Sequence, residues 1–340
     1  MRVALDAMGG DNAPAVNIEG AAEAVNEWPD IEVVLVGDGE LLQKELSVRK
    51  YPKSKITVLH ASESITMDEQ LSQALRRKKD SSIRRAFELV KAAEADAVVS
   101  AGHSGITMAL ALLLIGTAKG VERPAIAALI PSLKKEFVLL DVGANVDCTP
   151  QNLLQFALMA DAYCRLILDR PKPKIALLSI GEEPTKGNEL TKEAFRLLKA
   201  ADINFFGNME GRDIFKGDAD VVVCDGFIGN VVLKSSEGLA EATIKMLRKE
   251  ITSLTTGRIG YFFIKSALKN FKKKTDYAEY GGAPLLGING TCIICHGRST
   301  TKAIKNAVRM AADFSSKRVY EAISEEIGQA QPREKTVVAG

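Results

Sequence analysis

The sequence predicts an α/β fold in which a mostly parallel sheet carries helices on both faces, as an α/β/α sandwich. Short apolar strands alternate with helical segments along the chain, and a polar, Gly-rich loop follows most of these strands. The hydrophobic share of 46% over 340 residues is enough for a large core. Both observations are typical of a sheet whose strands are buried on two sides.

Several apolar segments begin a repeating unit of strand, loop and helix. They occupy residues 2–6, 31–37, 97–100, 137–141, 175–180, 221–225 and 291–295. The rhythm has no fixed period, so the chain is not a solenoid. No Pro- or Ser-rich linker divides it, which predicts a single α/β domain over residues 1–328 and a flexible tail at 329–340.

The charge balance bounds the partners that the chain can bind. With 45 Lys and Arg against 43 Asp and Glu, the formal net charge is only +2, which argues against nucleic-acid binding. No apolar run of about 18 residues predicts a membrane span, and no secretory signal is evident. Five cysteines in apolar stretches are typical of reduced thiols, so we expect a cytoplasmic protein.

The segment TCIICHG at 291–297 contains C-x-x-C-H, the attachment signature of a c-type haem. Cys292 and Cys295 are three positions apart, so on a strand they point to opposite faces. The surrounding residues are apolar and a Gly follows them, which is typical of a buried strand. We therefore predict two small buried residues and no haem.

The loop at 100–105 joins an apolar strand to an apolar helix. It is similar to a nucleophile elbow, but Ile106 stands where that motif requires Gly. Small residues at a helix start expose backbone N–H groups, and Ser104 adds a hydroxyl, so the loop fits either an anion site or a simple helix cap. His103 in this loop and His296 after a later strand both lie where α/β sheets bind ligands.

The loop GEEPTKGN at 181–188 lies between an apolar strand and a helix. Thr185, Lys186 and Asn188 supply a hydroxyl, a cation and an amide at one helix start, which are the groups that bind phosphate. The loop matches neither the Walker pattern nor G-x-G-x-x-G. It is therefore either a phosphate site or a charged surface loop.

Polar side chains also follow two other strands. Asp225 ends one of them, with Asn230 near the next helix start and Lys234 one turn later. Asn230 could orient a ligand in this position or only cap the helix. Asn145 lies in a similar loop and could donate a hydrogen bond to a carbonyl oxygen.

Asp6 and Asp11 flank a pair of glycines in the first strand-end loop. Two carboxylates could bind Mg²⁺, but no other acidic cluster in the sequence completes such a site. The three histidines show no zinc-ligand spacing. We therefore expect no metal.

Residues 251–282 interrupt the rhythm with an aromatic and basic stretch. Apolar residues at helical spacing, with lysines on another face, predict a basic amphipathic helix over 258–274. Such a helix either lies on an anionic membrane surface or packs in the core or a dimer interface. The candidate contact residues are Phe262, Phe263, Lys265, Leu268 and Phe271.

A second basic cluster spans residues 76–79 and 84–85. Such a run is usually a solvated helix face. Arg76 and Arg77 could also dock an acidic partner close to the ligand-binding edge of the sheet.

Taken together, these loops resemble one family, the bacterial phosphate acyltransferase of phospholipid synthesis. The similarity covers nearly the whole chain and consists of several long motifs. They are DAMGGDNAP at 6–14, SAGHSG at 100–105, RPAIAALIP at 123–131, LLDVGANVDCTPQNL at 139–153, GEEPTKGNE at 181–189, GNMEGRDIF at 207–215, CDGFIGNVVLKSSEG at 224–238 and YGGAPLLGINGTCIICHGRS at 280–299.

The resemblance implies transfer of a long-chain acyl group from acyl carrier protein (ACP) to inorganic phosphate, without a cofactor. The product, acyl phosphate, is then the substrate of a membrane glycerol-phosphate acyltransferase on the route to phosphatidic acid. The resemblance also implies a fold like that of phosphotransacetylases and isopropylmalate dehydrogenases. It further implies a cytoplasmic homodimer that associates peripherally with the inner face of the cell membrane.

Inorganic phosphate is itself the nucleophile in such a reaction, so the protein has to position it and stabilise the oxyanion. On this basis we assign catalytic roles to His103, Asn145, Lys186 and Asn230. The candidate substrate-binding residues are Asp6, Asp11, Ser104, Thr185, Asn188, Asp225, Lys234, Asn289 and His296.

Other functions fit the sequence less well. The nearest alternative is a phosphotransacetylase that uses a short-chain acyl-CoA, and the two basic segments favour a membrane-linked, protein-bound donor over it. A dehydrogenase on the same fold would need nicotinamide, and no dinucleotide fingerprint is evident. A noncatalytic membrane-docking module would leave the polar strand-end loops unexplained.

Overall fold

The computed structural model describes residues 1–253, 266 and 280–330. Over these residues, apolar strands alternate with helices and pair into one sheet, as the sequence predicts. The described strands are β1 (Arg2–Asp6), β2 (Glu32–Gly37), β3 (Ile56–His60), β4 (Ala97–Ser100), β5 (Ala125–Ile130), β6 (Phe137–Leu140), β7 (Ile175–Ser179), β8 (Phe205–Glu210), β9 (Val221–Val223), β10 (Ala283–Leu286) and β11 (Cys292–Ile294).

Side-chain caps fix where several helices begin. Thr149 and Asn152 form a capping box at the start of a helix whose first residue is Pro150. The hydroxyl of Thr300 caps a later helix. The described helices are α1 (Ala15–Glu27), α2 (Gly39–Ser47), α3 (Leu71–Arg77), α4 (Ser82–Lys91), α5 (Ser104–Leu114), α6 (Pro150–Leu166), α7 (Glu189–Ala200), α8 (Gly226–Ser253), α9 (Thr301–Ser316) and α10 (Val319–Ala330).

The sheet contains two groups of parallel strands that run in opposite directions. Its order is β3-β2-β1-β4-β11-β10-β5-β6-β9-β7-β8. The first group, β1 to β4 with β11, is parallel throughout, and so is the second group, β6 to β9. Between them, β10 is antiparallel to both neighbours and β5 is antiparallel to β6. The carboxyl ends of the two groups therefore lie at opposite edges of the sheet.

The predicted fold class, a mostly parallel α/β sheet, is confirmed. The strand-loop-helix units predicted from the sequence do not include β3, β5, β8 or β10. A tight antiparallel connection, with no intervening helix, joins β5 to β6. This connection has no helix, so it interrupts the alternation of strand, loop and helix on which the prediction rests. It also makes β6, and the strands parallel to it, run opposite to the first group.

Side chains alternate across the sheet, so the core lies on both faces. Val3 and Leu5 pack in one apolar cluster, whereas Ala4 belongs to the cluster on the other face. The same alternation separates Cys292 from Cys295, and both thiols are buried. Burial raises the pKa of the Cys295 thiol to about 12. The prediction of two buried residues in the C-x-x-C-H segment is confirmed.

Part of the predicted membrane-binding segment lies outside the described residues. This applies to the helix at 258–274 except residue 266, and to Phe262, Phe263, Lys265, Leu268 and Phe271. It also applies to residues 331–340 of the predicted tail, although α10 continues to Ala330. Among the helices that the structure describes, none is long and apolar enough to cross a membrane.

Candidate active site

The predicted site residues fall into two clusters at opposite edges of the sheet. The first cluster follows β1, β4 and β11 and consists of Asp6, Asp11, His103, Ser104, His296 and the adjacent Arg298. The second cluster follows β6, β7 and β9 and consists of Asn145, Thr185, Lys186, Asn188, Asp225, Asn230 and Lys234.

Within one chain, the two clusters are far apart. Asp6 ends β1 and Asp141 follows β6, and these strands are five inter-strand spacings apart. At roughly 4.8 Å per spacing, the lateral separation is about 24 Å. The four residues to which we assign catalytic roles are thus divided, because His103 lies in the first cluster and the other three lie in the second.

Asp6 organises the first cluster from beneath it. Its side chain is only 2% exposed, and its two oxygens accept hydrogen bonds from the hydroxyls of Ser82 (2.6 Å) and Ser100 (2.8 Å). Burial raises the pKa of the Asp6 carboxyl, against these hydrogen bonds, which lower it. The sequence predicts that Asp6 contacts substrate, whereas its hydrogen bonds in the structure connect β1, β4 and the start of α4.

His103 and Ser104 lie at the surface of the first cluster, at the start of α5. The Nδ1 atom of His103 faces the backbone N–H of Ile106 at 3.4 Å and caps the helix. With Nδ1 as the acceptor, the proton of a neutral ring lies on Nε2, which is then available to donate a hydrogen bond to another group. The first N–H groups of α5, including those of Ser104 and Gly105, have no acceptor within the helix. Together these groups form a set of donors that suits an anion.

The loop after β11 completes the first cluster. The backbone N–H of Asp11 donates to the carbonyl of Gly297 (2.8 Å), and Gly10 adopts a φ of +105° between Gly297 and the loop after β4. A side chain on Gly10 would press against both loops, so the position requires glycine. The Nδ1 atom of His296 accepts from the N–H of Arg298 (3.0 Å). The sequence analysis did not select the cation Arg298, although it directly follows His296 and Gly297.

Asp141 is the organising carboxylate of the second cluster. It is fully buried, and Oδ1 accepts from the N–H groups of Ile126 (3.0 Å), Ala144 (3.1 Å) and Gly143 (3.2 Å). Burial raises the pKa of this carboxyl, while the N–H donors lower it. The sequence analysis does not select Asp141 as a site residue, although it lies in one of the motifs. Position along the chain does not distinguish a buried carboxylate that holds a loop from one that binds a ligand.

Both donors of the Asn145 side-chain nitrogen are already used. Its side-chain nitrogen donates to the carbonyl of Pro124 (2.7 Å) and to Oδ2 of Asp141 (3.0 Å), and the residue is 7% exposed. Both protons of the amide are therefore used inside the protein. This geometry assigns Asn145 to positioning the loop after β6, in place of the oxyanion donor that we expected.

Helix α8 begins earlier than the sequence indicates. The Asp225 side chain accepts from the N–H of Ile228 (2.9 Å), so Asp225 caps a helix that starts at Gly226. Asn230 lies in the second turn and does not cap the helix, which removes one of the two roles left open for it. It is half-buried, and its side chain lies beside Gly143.

A cavity of about 370 Å³ opens at the second cluster. Its lining is mixed, with Asn188 and Asp225 beside apolar side chains such as Leu178 and Ile228. The Asn188 side chain caps α7 by accepting from Thr191 (2.9 Å). Thr185, Lys186 and Lys234 are exposed around this edge. Among the described residues, none makes a hydrogen bond or ion pair with the Lys186 ammonium.

Asn289 lies apart from the loop in which the sequence grouped it. It follows β10, and its N–H donates to the carbonyl of Gly116 (3.0 Å). Because β10 runs antiparallel to β11, Asn289 lies at the opposite edge of the sheet from His296. Arg123, just before β5, lies at that same edge and was also missed.

The described thiols are poor candidates for a nucleophile. Cys148 is half-buried beside the second cluster, and burial raises its pKa to about 11. Burial also raises the pKa of Cys224 well above its ordinary value. Since the thiolate is the reactive form, neither cysteine is activated at neutral pH. Across the described ranges, no group of three or more metal-ligating side chains comes together.

The basic cluster at 76–85 is partly neutralised. Lys78 pairs with Glu69, and Arg85 contacts both Asp80 and Glu88. Arg76 and Arg77 are exposed at the end of α3. The remaining positive surface is thus smaller than the sequence indicates.

Comparisons with known proteins match almost the whole chain. A family model described as "Fatty acid synthesis protein" matches residues 1–322. A protein of Thermodesulfovibrio yellowstonii named phosphate acyltransferase is 58% identical over 336 residues, covering 99% of this chain and 97% of that one. A phosphate acyltransferase of Geobacter sulfurreducens is 55% identical and covers 96% and 94% of the two chains.

Solved structures share the fold at low sequence identity. A phosphotransacetylase from Streptococcus pyogenes has a TM-score of 0.64 at 20% identity, covering 93% of this chain and 94% of that one. A 4-hydroxythreonine-4-phosphate dehydrogenase from Klebsiella pneumoniae has a TM-score of 0.55 at 15% identity, covering 93% and 99%. These similarities establish the architecture alone.

Replacing Asp141 with Asn should destabilise the protein strongly. One carboxylate oxygen becomes an NH₂ group that faces buried N–H donors, which leaves several of them unsatisfied. We expect a loss of about 3 kcal/mol in the free energy of unfolding, measured by urea denaturation. Asp147→Asn, at an exposed position of the same loop, is the matched control and should change little. Equal stabilities for the two variants would contradict the role of Asp141.

Gly229→Ala should disturb the contact between α8 and the second cluster. A Cβ at this position would lie 1.8 Å from the backbone oxygen of Asp141, which cannot move without breaking the loop. We expect a loss of more than about 3 kcal/mol in stability, measured by thermal and urea unfolding. Gly328→Ala in α10 has nothing within 4 Å and serves as the control. A stable Gly229→Ala variant would show that α8 is not seated as described.

Proposed function

The chain belongs to the phosphate acyltransferase family, and from its membership we propose that this enzyme transfers a long-chain acyl group from ACP to inorganic phosphate. Acyl transfer involving phosphate follows from the family. The acyl donor, the mechanism and the residue roles are our proposal. The observation that carries the proposal is the first cluster, where helix N–H groups and two histidines follow the adjacent strands β4 and β11, and where burial raises the pKa of the neighbouring Cys295 thiol.

The proposed reaction is a direct displacement at the thioester. A phosphate oxygen attacks the carbonyl carbon, a C–O bond forms, and the carbonyl oxygen becomes an oxyanion. The C–S bond then breaks, and the proton of the hydrogen phosphate dianion ends on the departing thiol. The products are acyl phosphate and free ACP thiol, with no change in oxidation state. A thiol is a stable leaving group, so strong general-acid catalysis is unnecessary.

We assign the binding of phosphate to the start of α5. The N–H groups of its first turn and the Ser104 hydroxyl are donors for the phosphate oxygens. His103 can donate from Nε2 to the oxyanion, because its Nδ1 is held as an acceptor. We assign the orientation of the substrate to His296 and Asp11 in the adjoining loops, and the Asp11 N–H donates to the Gly297 carbonyl next to His296.

Within one chain the two clusters are about 24 Å apart, so we propose that the second cluster of a partner chain in the homodimer supplies the remaining groups. Lys186 is an exposed cation that can neutralise the phosphate, and Asn230 is an amide that can donate to the oxyanion. We assign the lining of the substrate path to Thr185, Asp225 and Lys234, of which Asp225 lines the cavity. Asn188 already caps α7, so its role is to hold the loop that presents Lys186.

The surface beside the first cluster suits an acidic carrier protein with an acyl chain. The Met67 side chain lies next to Gly297, and both Met67 and Leu71 are exposed apolar residues. Arg76 and Arg77 follow on the next turns of α3. We propose that these arginines dock ACP electrostatically, while the apolar residues meet the acyl chain where it enters.

The cellular setting is proposed on the same basis. We propose a cytoplasmic homodimer that attaches peripherally to the inner face of the cell membrane, in part through the segment at 251–282. Acyl phosphate formed there would pass to a membrane glycerol-phosphate acyltransferase. A short-chain phosphotransacetylase is the alternative reaction, and the shared fold with such enzymes does not favour it at 20% identity.

Phosphate-dependent release of thiol from palmitoyl-ACP is the central test. We expect thiol release only with phosphate present, together with acyl phosphate trapped as its hydroxamate. Acetyl-CoA and palmitoyl-CoA are assayed in parallel. Efficient turnover of acetyl-CoA with none of palmitoyl-ACP would overturn the proposed donor and favour the short-chain alternative.

Lys186→Ala should lower turnover by about 100-fold or more, because it removes the cation that is proposed to balance phosphate. The measurement is kcat and KM for phosphate with palmitoyl-ACP. Lys192→Ala is the control, because Lys192 lies on the neighbouring helix in an exposed ion pair with Glu189 (3.3 Å). Near-normal turnover in Lys186→Ala would remove Lys186 from the mechanism.

A further inference from the structure

Apolar side chains make up much of the wall of the cavity at the second cluster. Leu153 and Leu178 line it and are buried, whereas Ile180 and Ile228 line it and are 80% and 41% exposed. The cavity therefore runs from the surface, where Ile180 lies at its mouth, into the packed interior. Clefts with such a lining are typical of sites that bind an apolar ligand.

The polar side chains of the wall already have partners within the protein. They belong to Ser179, Asn188, Thr191 and Asp225. The Asn188 side-chain oxygen accepts hydrogen bonds from the N–H (2.9 Å) and the hydroxyl (3.1 Å) of Thr191. The Asp225 carboxylate accepts from the N–H of Ile228 (2.9 Å). An anion buried here would meet few free donors and an acidic residue, so the wall disfavours phosphate as the occupant.

The size of the cavity suits a long apolar chain. Its volume is about 370 Å³. At roughly 30 Å³ for a water-sized group, this is room for about a dozen groups of the size of a methylene. An acetyl group would leave most of this volume empty. A palmitoyl chain would fill it, and the rest of the chain would lie against Ile180 at the mouth.

We propose that this cavity binds the fatty acyl chain of the donor and sets the chain length that the enzyme accepts. The inference rests on the proposed reaction, which supplies an acyl thioester as the substrate. Gly187 and Asn188 line the cavity and directly follow Lys186 along the chain. An acyl chain whose tail lies in the cavity therefore has its thioester at the mouth, on the side of the loop that presents Lys186.

The proposal predicts how activity depends on chain length. Each methylene that leaves water for the cavity should raise kcat/KM by up to about fourfold. The rise should stop once the cavity is full, at about twelve carbons. The measurement is kcat/KM for a series of acyl-ACP donors from acetyl to palmitoyl, at saturating phosphate. A series without dependence on chain length would overturn the proposal.

The first variant fills the cavity from its wall. Ile228→Trp places a larger side chain at a wall position of α8, and the backbone N–H that Asp225 accepts from is kept. We expect the ratio of kcat/KM for palmitoyl-ACP to that for octanoyl-ACP to fall by about tenfold or more, because two or three methylenes lose their place. Val231→Trp is the matched control, since Val231 is an exposed apolar residue one turn further along α8 and outside the described wall.

The ratio, and not the activity itself, is the readout of this variant. General damage to the fold would lower turnover of both donors together and leave the ratio unchanged. A folded Ile228→Trp enzyme with the wild-type ratio would overturn the cavity as the acyl site. The same shift of the ratio in Val231→Trp would overturn it as well.

A second measurement follows binding without turnover. Ile180→Cys places a thiol at the exposed mouth of the cavity, where N-ethylmaleimide can reach it. The native thiols should react slowly, because Cys148 is half-buried and the other four are buried. Without phosphate, palmitoyl-ACP at about ten times its dissociation constant should slow the labelling about tenfold, since only the free protein reacts. Acetyl-ACP, which has the same carrier but no long chain, should leave the labelling rate unchanged.

Val146→Cys is the control for coverage of this edge by the carrier protein. Val146 is exposed in the loop after β6 and lies outside the described wall, so its labelling should be the same with both donors. Equal labelling of Ile180→Cys with the two donors would overturn the proposal. Resistance of Ile180→Cys to labelling in the free protein would do so too, because another part of the protein would then fill the mouth. Wild-type protein that forms no acyl phosphate from palmitoyl-ACP would instead overturn the proposed reaction, which the labelling does not test.

Discussion

The antiparallel pairing of β5 with β6 is the constraint on which the position of every polar loop depends. Sheets of parallel strands collect their functional loops at one edge, because each strand ends there. Here β10 and β5 lie in the middle of the sheet, and the second group of strands runs against the first. One chain consequently presents two functional edges, about 24 Å apart across the strands. The dimer that we propose follows from this reversal.

Each edge is organised by a buried carboxylate. Asp6 accepts hydrogen bonds from two serine hydroxyls, and Asp141 accepts hydrogen bonds from several backbone N–H groups. Burial raises the pKa of both groups, and the hydrogen-bond donors around each carboxylate act against that shift. The partly exposed residues that we expect to meet substrate lie beside the loops that these buried groups hold in place. His103 and Asn230 are examples, on the first and second cluster respectively.

For the proposed reaction, the protein has only to position the two substrates and to stabilise negative charge. Phosphate is a nucleophile, and a thiol departs without much assistance. The described cysteines near the second cluster have raised pKa values, which fits a reaction that passes through no acyl-cysteine. Helix N–H groups, imidazole donors and one lysine are enough for such a reaction. In our proposal, the homodimer brings these groups into one site.

The sequence by itself determined the fold class, the family and most strand-end loops, because strand periodicity, glycine-rich turns and long motifs are local patterns. It also predicted correctly that Cys292 and Cys295 are buried on opposite faces of the sheet, since alternation along a strand is a local property. The tertiary structure decided the rest. It showed that Asp225, and not Asn230, caps α8, and that the amide protons of Asn145 are occupied by Pro124 and Asp141. It also divided His103 from Lys186, because the direction of a strand depends on which distant segment pairs with it, and no local pattern carries that information.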